Sequence, residues 1–323
     1  MTIRNVGVDM NAQSEVVSAH IQESTLLRPA IQAWKIYLRD QGRSHHTLKA
    51  FTADLALLES FLPTDKAIGK ITTKDLEDFL GWLDKDREVP CSPKTLSRRI
   101  TSIKSFFRWL VKGGVLSSDP AEKVLQKTVI SPLPTVLTPT EYTRALDVAD
   151  ALRTAANPDP RPYTLMLLVL ETAMKKGECL SLMTNHLEIE NPDQAYIHVR
   201  YGQSRYRYKE RKVEVSANWV EVYREYAEKY QIKDQVFPWS QRRLEYLLED
   251  VTKAARMEKH ISFDMLRWTS ALIDLTNGVE KDRIRQKLGI SKVQWREVGN
   301  KLRSLAEENG YPIPEETSEG EKI

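Results

Sequence analysis

SPKTLSRRITSIKSFFRWLVKGG, Ser92 to Gly114, carries a complete helix with its own start and stop. Ser92 can cap the first turn, Pro93 suits the first helical position, and the Gly113–Gly114 pair ends the run. At helical spacing, Ile100, Ile103, Phe107 and Leu110 share one face, while Lys94, Arg98, Thr101, Ser105, Arg108 and Lys112 share another. Between Lys94 and Lys112 there are six basic residues and no acid. One face is built to pack. The other offers cations and hydroxyls, the groups that release counterions from a duplex and bond its phosphates and base edges. An ordinary solvated helix face can carry the same residues, so the stretch needs support from the rest of the chain.

Upstream, Ile31, Trp34, Ile36 and Leu38 recur at near-helical spacing before a stop at Gly42. Ser44 precedes HHTLKAFTADLALLESFL, and Thr72 with Thr73 introduces KDLEDFLGWLDKD. The spacing therefore predicts a four-helix domain over residues 25–124, preceded by a flexible arm at 1–24. Downstream, LQKTVISPLPTVLTPTEY carries three prolines and little periodicity, which predicts a linker over 125–138. A helix is expected from Thr140 and a buried apolar one from Thr164 to Ala173. AYIHVRYG and YKERKVEVS read as short strands, and the residues from Asn218 to Asn309 read as helical, with breaks at Gly278 and Gly289. The second domain, 139–309, is thus mainly α with a small antiparallel β-sheet. Residues 310–323 read as a disordered acidic tail.

A chain of 323 residues accommodates two such domains, and 41% hydrophobic with 29% charged residues is ordinary for a soluble globular protein. No apolar run is long enough to span a bilayer, and the start lacks the basic and apolar stretches of a secretory signal. Cys91 and Cys179 offer neither a disulfide framework nor a zinc site. These features predict a cytoplasmic protein without membrane contact. No glycine-rich phosphate loop suggests a nucleotide, and no metal or other cofactor is expected. His45, His46 and His198 read as polar or structural histidines, and Cys179 as buried packing.

Net charge is only +3, so the placement of the cations matters more than their sum. A second concentration lies in RYGQSRYRYKERK, where Arg200, Arg205, Arg207, Lys209, Arg211 and Lys212 interleave with Tyr201, Tyr206 and Tyr208. If these residues alternate along a strand, a packed tyrosine row supports an exposed cationic row. Sheet edges also carry positive charge simply to prevent pairing with other chains.

With these stretches in view, the chain resembles the tyrosine recombinases, the phage-integrase family, from Leu26 to Leu305. RSHHTLKAFTADLALLESFL is similar to the family's opening pattern S-x-x-T-L-x-x-Y-x-x-D-L, with Phe51 at the tyrosine position. SPKTLSRRITSIKSFFRWLVKGGVLSSDPAEKV is similar to the helix, turn and Asp-Pro-Ala that lead to the linker. ETAMKKGECLSL resembles TGLRxxELxxL, and SFDMLRWTSALIDLTNGVEKDRIRQKLGI resembles PHDLRHTxATxLLxxGxxxxxIxxxLGH. The resemblance implies a helical core-binding domain and a mixed α/β catalytic domain that form a C-shaped clamp on double-stranded DNA.

The working residues depart from the family pattern. Lys175 stands where the family has its first catalytic arginine, whose planar fork grips the scissile phosphate in a way an ammonium cannot. Asp264 and Ile290 replace two histidines, and Arg267 matches the second catalytic arginine. Arg205, Arg207 and Lys209 compete for the position of the family's hairpin lysine. ISKVQWREVGNKLRSLAEENG, where the family places its nucleophile, contains no tyrosine. Tyr311 lies beyond that helix and is the candidate for a displaced nucleophile. Arg267 could also serve the fold by pairing with Glu178.

The resulting expectation is a catalytically degenerate, nucleoid-associated DNA-binding protein acting in architecture, partition or regulation, with a possible homo-oligomer on DNA. A divergent active recombinase using Tyr311 and a protein-interaction scaffold are the alternatives. Lys94, Arg98, Thr101 and Ser105 are the expected groove contacts, with Arg108 and Lys112 as further DNA contacts of the first domain, and Arg200, Arg205, Arg207, Lys209 and Arg211 the expected contacts of the second domain.

Overall fold

The computed structural model describes residues 20–126 and 132–312. The chain divides into two compact units, Met1–Ser131 and Pro132–Ile323. Among the described residues no helix is long and apolar enough to cross a membrane.

In the first unit, α1 (Leu27–Asp40), α2 (His45–Phe61), α3 (Thr73–Gly81) and α4 (Pro93–Lys112) surround one apolar core. The capping residues set these boundaries. Ser44 and Ser92 each accept a hydrogen bond from a backbone N–H of the first turn, and Thr72 forms a reciprocal box with Asp75. At the centre, fully buried Trp34 stacks on Phe51 at 5.8 Å and meets the edge of Phe106 at 5.4 Å. These ring contacts fix α2 and α4 against α1. The expected flexible arm at 1–24 lies outside the described residues up to 19, and its end is not loose. Glu23 O accepts from Gly69 N–H, Thr25 O accepts from Ile68 N–H, and a Cβ on Gly69 would stand 2.8 Å from Glu23 Cβ.

In the second unit, α5 (Pro139–Thr154) and α6 (Arg161–Thr172) lead into the short α7 (Lys176–Leu180). α6 is apolar on every side, as a helix surrounded by packing must be, and it touches α5, the sheet and three later helices. The sheet is antiparallel, ordered β1 (Leu187–Glu188), β2 (Ala195–Val199) and β3 (Arg211–Val215), with Val199 opposite Arg211. Then follow α8 (Ala217–Lys229), α9 (Gln241–Ala254), α10 (Phe263–Thr276), α11 (Lys281–Lys287) and α12 (Lys292–Glu308).

Two boundaries differ from the sequence expectation. Part of the predicted linker, 127–131, lies outside the described residues, but Val136 and Leu137 are buried in the second unit, where Leu137 N–H donates to Thr269 Oγ1. Of the predicted tail, residues 313–323 lie outside the described residues, whereas Tyr311 packs half-buried against the second unit and donates to Leu137 O at 2.8 Å. Proline content predicted a linker over 125–138 without showing that Val136 and Leu137 at its end are core.

Candidate functional site

The C-terminus of α6 and the N-terminus of α10 converge with the end of α11 and the start of β3, and four cations gather there around one carboxylate. α6 stops because Ala173 turns into the left-handed region at φ 49°. Its carbonyl then accepts from Arg267 Nε at 2.8 Å, while Arg267 Nη2 reaches Leu288 O at 3.2 Å. Lys175 follows, with its N–H donating to Glu178 Oε2 at 2.8 Å and its Nζ to Gly289 O at 3.1 Å. Gly289 adopts φ +60°, and a Cβ there would stand 2.8 Å from Arg211 Nη1. A side chain there would strain the turn and push the Arg211 fork off Glu178.

Glu178 is the anion of the cluster and is almost wholly buried. Arg211 grips it with both ends of its fork, Nη2 to Oε2 at 2.8 Å and Nη1 to Oε1 at 3.1 Å, and the Tyr201 hydroxyl also donates to Oε1. Lys175 Nζ is 3.7 Å from the same carboxylate. Burial alone would raise the Glu178 pKa, but Arg211, Tyr201 and the Lys175 N–H outweigh it and pull the value to about 2. For Lys175, burial lowers the pKa to about 8, with Glu178 opposing and Arg267, Arg211 and Lys209 reinforcing the shift. Burial also lowers the Arg267 pKa, yet a guanidinium remains charged. Buried Glu178 and exposed Asp264 face four cations, so the cluster keeps excess positive charge suited to an anion such as a phosphate.

The expected residues fall into three groups. Lys175, Arg267 and Lys209 belong to the cluster. Arg200, Arg205 and Arg207 are exposed. On α4, Lys94, Arg108 and Lys112 are exposed and Ser105 is half-buried. Thr101 is exposed but already accepts from Gln126 Nε2 at 2.9 Å. Arg98 is partly exposed and donates to buried Asp54 of α2, which also accepts from Ser102 Oγ at 2.7 Å. Asp264 points to solvent at 84% exposure, 3.4 Å from Arg267 Nη1, and Ile290 packs half-buried into the apolar cluster under α12.

Arg211 corrects the expectation of a surface contact. Its side chain is only 8% exposed, and its donors are spent on Glu178, Lys287 O and Lys209 O. The expected Arg267–Glu178 pair is likewise replaced by Arg211–Glu178. The predicted alternating hairpin is not a hairpin at its tip, because residues Ser204–Lys209 form a 3-10 turn. Arg205 and Lys209 each lie 4.8 Å from the Tyr206 ring centroid, and Tyr208 is 71% exposed rather than packed in a row. Asp54 and Gln126 escaped the sequence reading, and Tyr201 was read only as part of a packed tyrosine row, not as a donor to Glu178. Asp54 could have been found, since an acid three residues from Phe51 and four from Leu58 lies on the apolar face of its helix.

Residues 31–114 match the model of the phage integrase N-terminal SAM-like domain, and residues 135–295 match that of the phage integrase family. The tyrosine recombinase XerD of Listeria monocytogenes is 23% identical over 287 residues, covering 84% of this chain and 93% of its own length. A tyrosine recombinase of Thermosipho africanus is 25% identical over 267 residues, covering 80% of this chain and 90% of its own. Among solved structures, a lambda integrase dimer bound to a COC' core site superposes with a TM-score of 0.66 at 15% identity, covering 99% of this chain and 84% of that one. XerH recombinase bound to a palindromic difH substrate gives 0.67 at 15% identity, covering 93% of each chain.

Proposed function

The chain belongs to the phage integrase family, and from that premise we propose that it binds double-stranded DNA without cutting it, as an architectural, partition or regulatory factor. The observation that carries this reading is the contrast between the cation cluster and an α12 that contains no tyrosine. Lys175, Lys209 and Arg267 keep positive charge beside the end of α6, where a DNA phosphate can be held. Cleavage needs a hydroxyl in line with phosphorus, and α12 carries Trp295 but no tyrosine. Tyr311 is a poor substitute. Its hydroxyl is engaged with Leu137 O, and burial pushes its pKa up to about 12.

The replacements around the phosphate agree with this reading. Asp264 brings a carboxylate where a donor would be useful, and Ile290 brings an alkyl group, so neither stabilises charge developing on a phosphorane. Lys175 attracts a phosphate as a point charge without the two parallel hydrogen bonds of an arginine. Lys94, Arg98, Ser105, Arg108 and Lys112 of α4 supply groove and backbone contacts from the first unit. Solved relatives include a lambda integrase dimer and a tetramer on DNA, which makes self-association on DNA part of the proposal.

The test is to incubate the purified chain with fragmented genomic DNA of its host at physiological salt and sequence what is retained. A few sharp peaks with a shared motif support a sequence-specific binder. Folded protein that retains nothing at moderate salt sinks the proposal. A protein–DNA adduct surviving denaturation and abolished by Tyr311→Phe replaces it with an active recombinase.

A further inference from the structure

The turn Ser204–Lys209 holds an aromatic ring whose face has no counterpart in the grooves of a paired duplex. Phosphates call for cations, and a paired duplex presents only base edges in its grooves. Yet the Tyr208 ring is 71% exposed. The Lys209 ammonium lies 5.3 Å from its centroid, so the ring sits in a positive field. Tyr206, in contrast, is half-buried and tilted against Tyr201 at 5.9 Å. The two tyrosines therefore have different jobs, one supporting the turn and one presented outward.

The support fixes where Tyr208 stands. Tyr201 donates its hydroxyl to Glu178, and Arg211 Nη1 donates to Lys209 O at 3.3 Å. The turn is thus footed on the cation cluster itself. Tyr208 also borders a cavity of about 1090 Å3 along β3, lined by the cations Lys209, Lys212 and Arg283 and also by the carboxylates Glu171, Glu210 and Glu214. That space admits a nucleotide easily. A ring beside cations is the recurring arrangement for stacking an unpaired base while its backbone is held electrostatically.

We propose that Tyr208 is a stacking site for an unpaired nucleobase whose neighbouring phosphate is held by Lys209. The inference rests on the DNA-binding reading and adds a substrate preference, for DNA with an unstacked or extruded base over a fully paired duplex. Opening a paired duplex costs stacking and pairing energy, which a bulged, gapped or branched substrate does not pay.

The experiment compares the full-length chain on a paired duplex and on the same duplex carrying one unpaired 2-aminopurine, at one salt concentration. The bulged probe should bind about tenfold tighter, with its fluorescence changed by stacking. Tyr208→Phe should keep both effects. Tyr208→Ala should bring the affinity ratio to about one and abolish the fluorescence change. Equal affinity of the unaltered chain for the two probes, or a preference that survives Tyr208→Ala, overturns the inference while duplex binding stands. Binding to neither probe overturns the DNA-binding reading with it.

Discussion

Glu178 is held as a carboxylate by Arg211, Tyr201 and the Lys175 N–H, and its pKa of about 2 lies well below the ordinary 4.5. Stability drawn from it is fully present above about pH 4.5 and is lost as pH falls toward 2, an effect on the order of 3 kcal/mol. Glu178→Gln should abolish that acid sensitivity and destabilise the protein at neutral pH by about 3 kcal/mol, because Arg211 is left buried without its partner. Denaturant unfolding between pH 2 and 7 reads both effects, and an unchanged acid profile in the variant refutes the assignment. The lowered pKa of Lys175 bears on DNA affinity instead. Its pKa of about 8 means that the folded chain loses this charge as pH rises past 8, so DNA affinity should drop over that window, and Lys175→Arg should flatten the dependence. A phosphate raises the pKa of the ammonium it binds, so the drop begins above the value for the free protein. The sequence showed the positions of Lys175 and Arg267 but not which cation turns inward. Arg211 had a signal, since it shares a strand face with buried Val213 and Val215, yet six cations in thirteen residues obscured it.

At the scale of elements, α4 was legible because its caps and its two faces agree, whereas the Tyr–Arg turn was not. Alternation predicts a strand only when neighbouring backbone pairs, and β2–β3 pairing ends at Val199 and Arg211. Beyond that point the chain closes as a 3-10 turn, where residues three apart share a face and Lys209 lies over Tyr206. The link between α2 and α4 also escaped, because the spacing that puts Asp54 on the apolar face of α2 does not name its partners on α4. Asp54 is 3% exposed and accepts from Arg98 and Ser102, with Arg99 Nε at 3.5 Å. Asp54→Asn keeps the shape and removes the charge, so it should cost about 3 kcal/mol in urea unfolding. It should also weaken DNA binding through Arg98. In an Arg98→Gln background the same change should have little further effect on affinity, and an undiminished effect would show that Asp54 acts on the helix as a whole.

For the molecule as a whole, each unit has its own apolar core, one around Trp34 and Phe106 and another around α6. The division at Ser131 and Pro132 predicts that 20–126 and 132–312 each fold alone. If both units hold phosphates, the slope of log affinity against log salt for the entire chain should approach the combined slopes of the separate units, since each neutralised phosphate contributes about 0.9. Affinity should behave differently. Covalent linkage makes the second contact intramolecular, so the entire chain should bind more tightly than either unit by roughly 100-fold or more. Salt titrations of the three proteins on one duplex separate these quantities. A first unit that already reproduces the full slope leaves the Lys175–Arg267 cluster without a phosphate, and the cluster then serves only to tie α6, β3 and α10 together.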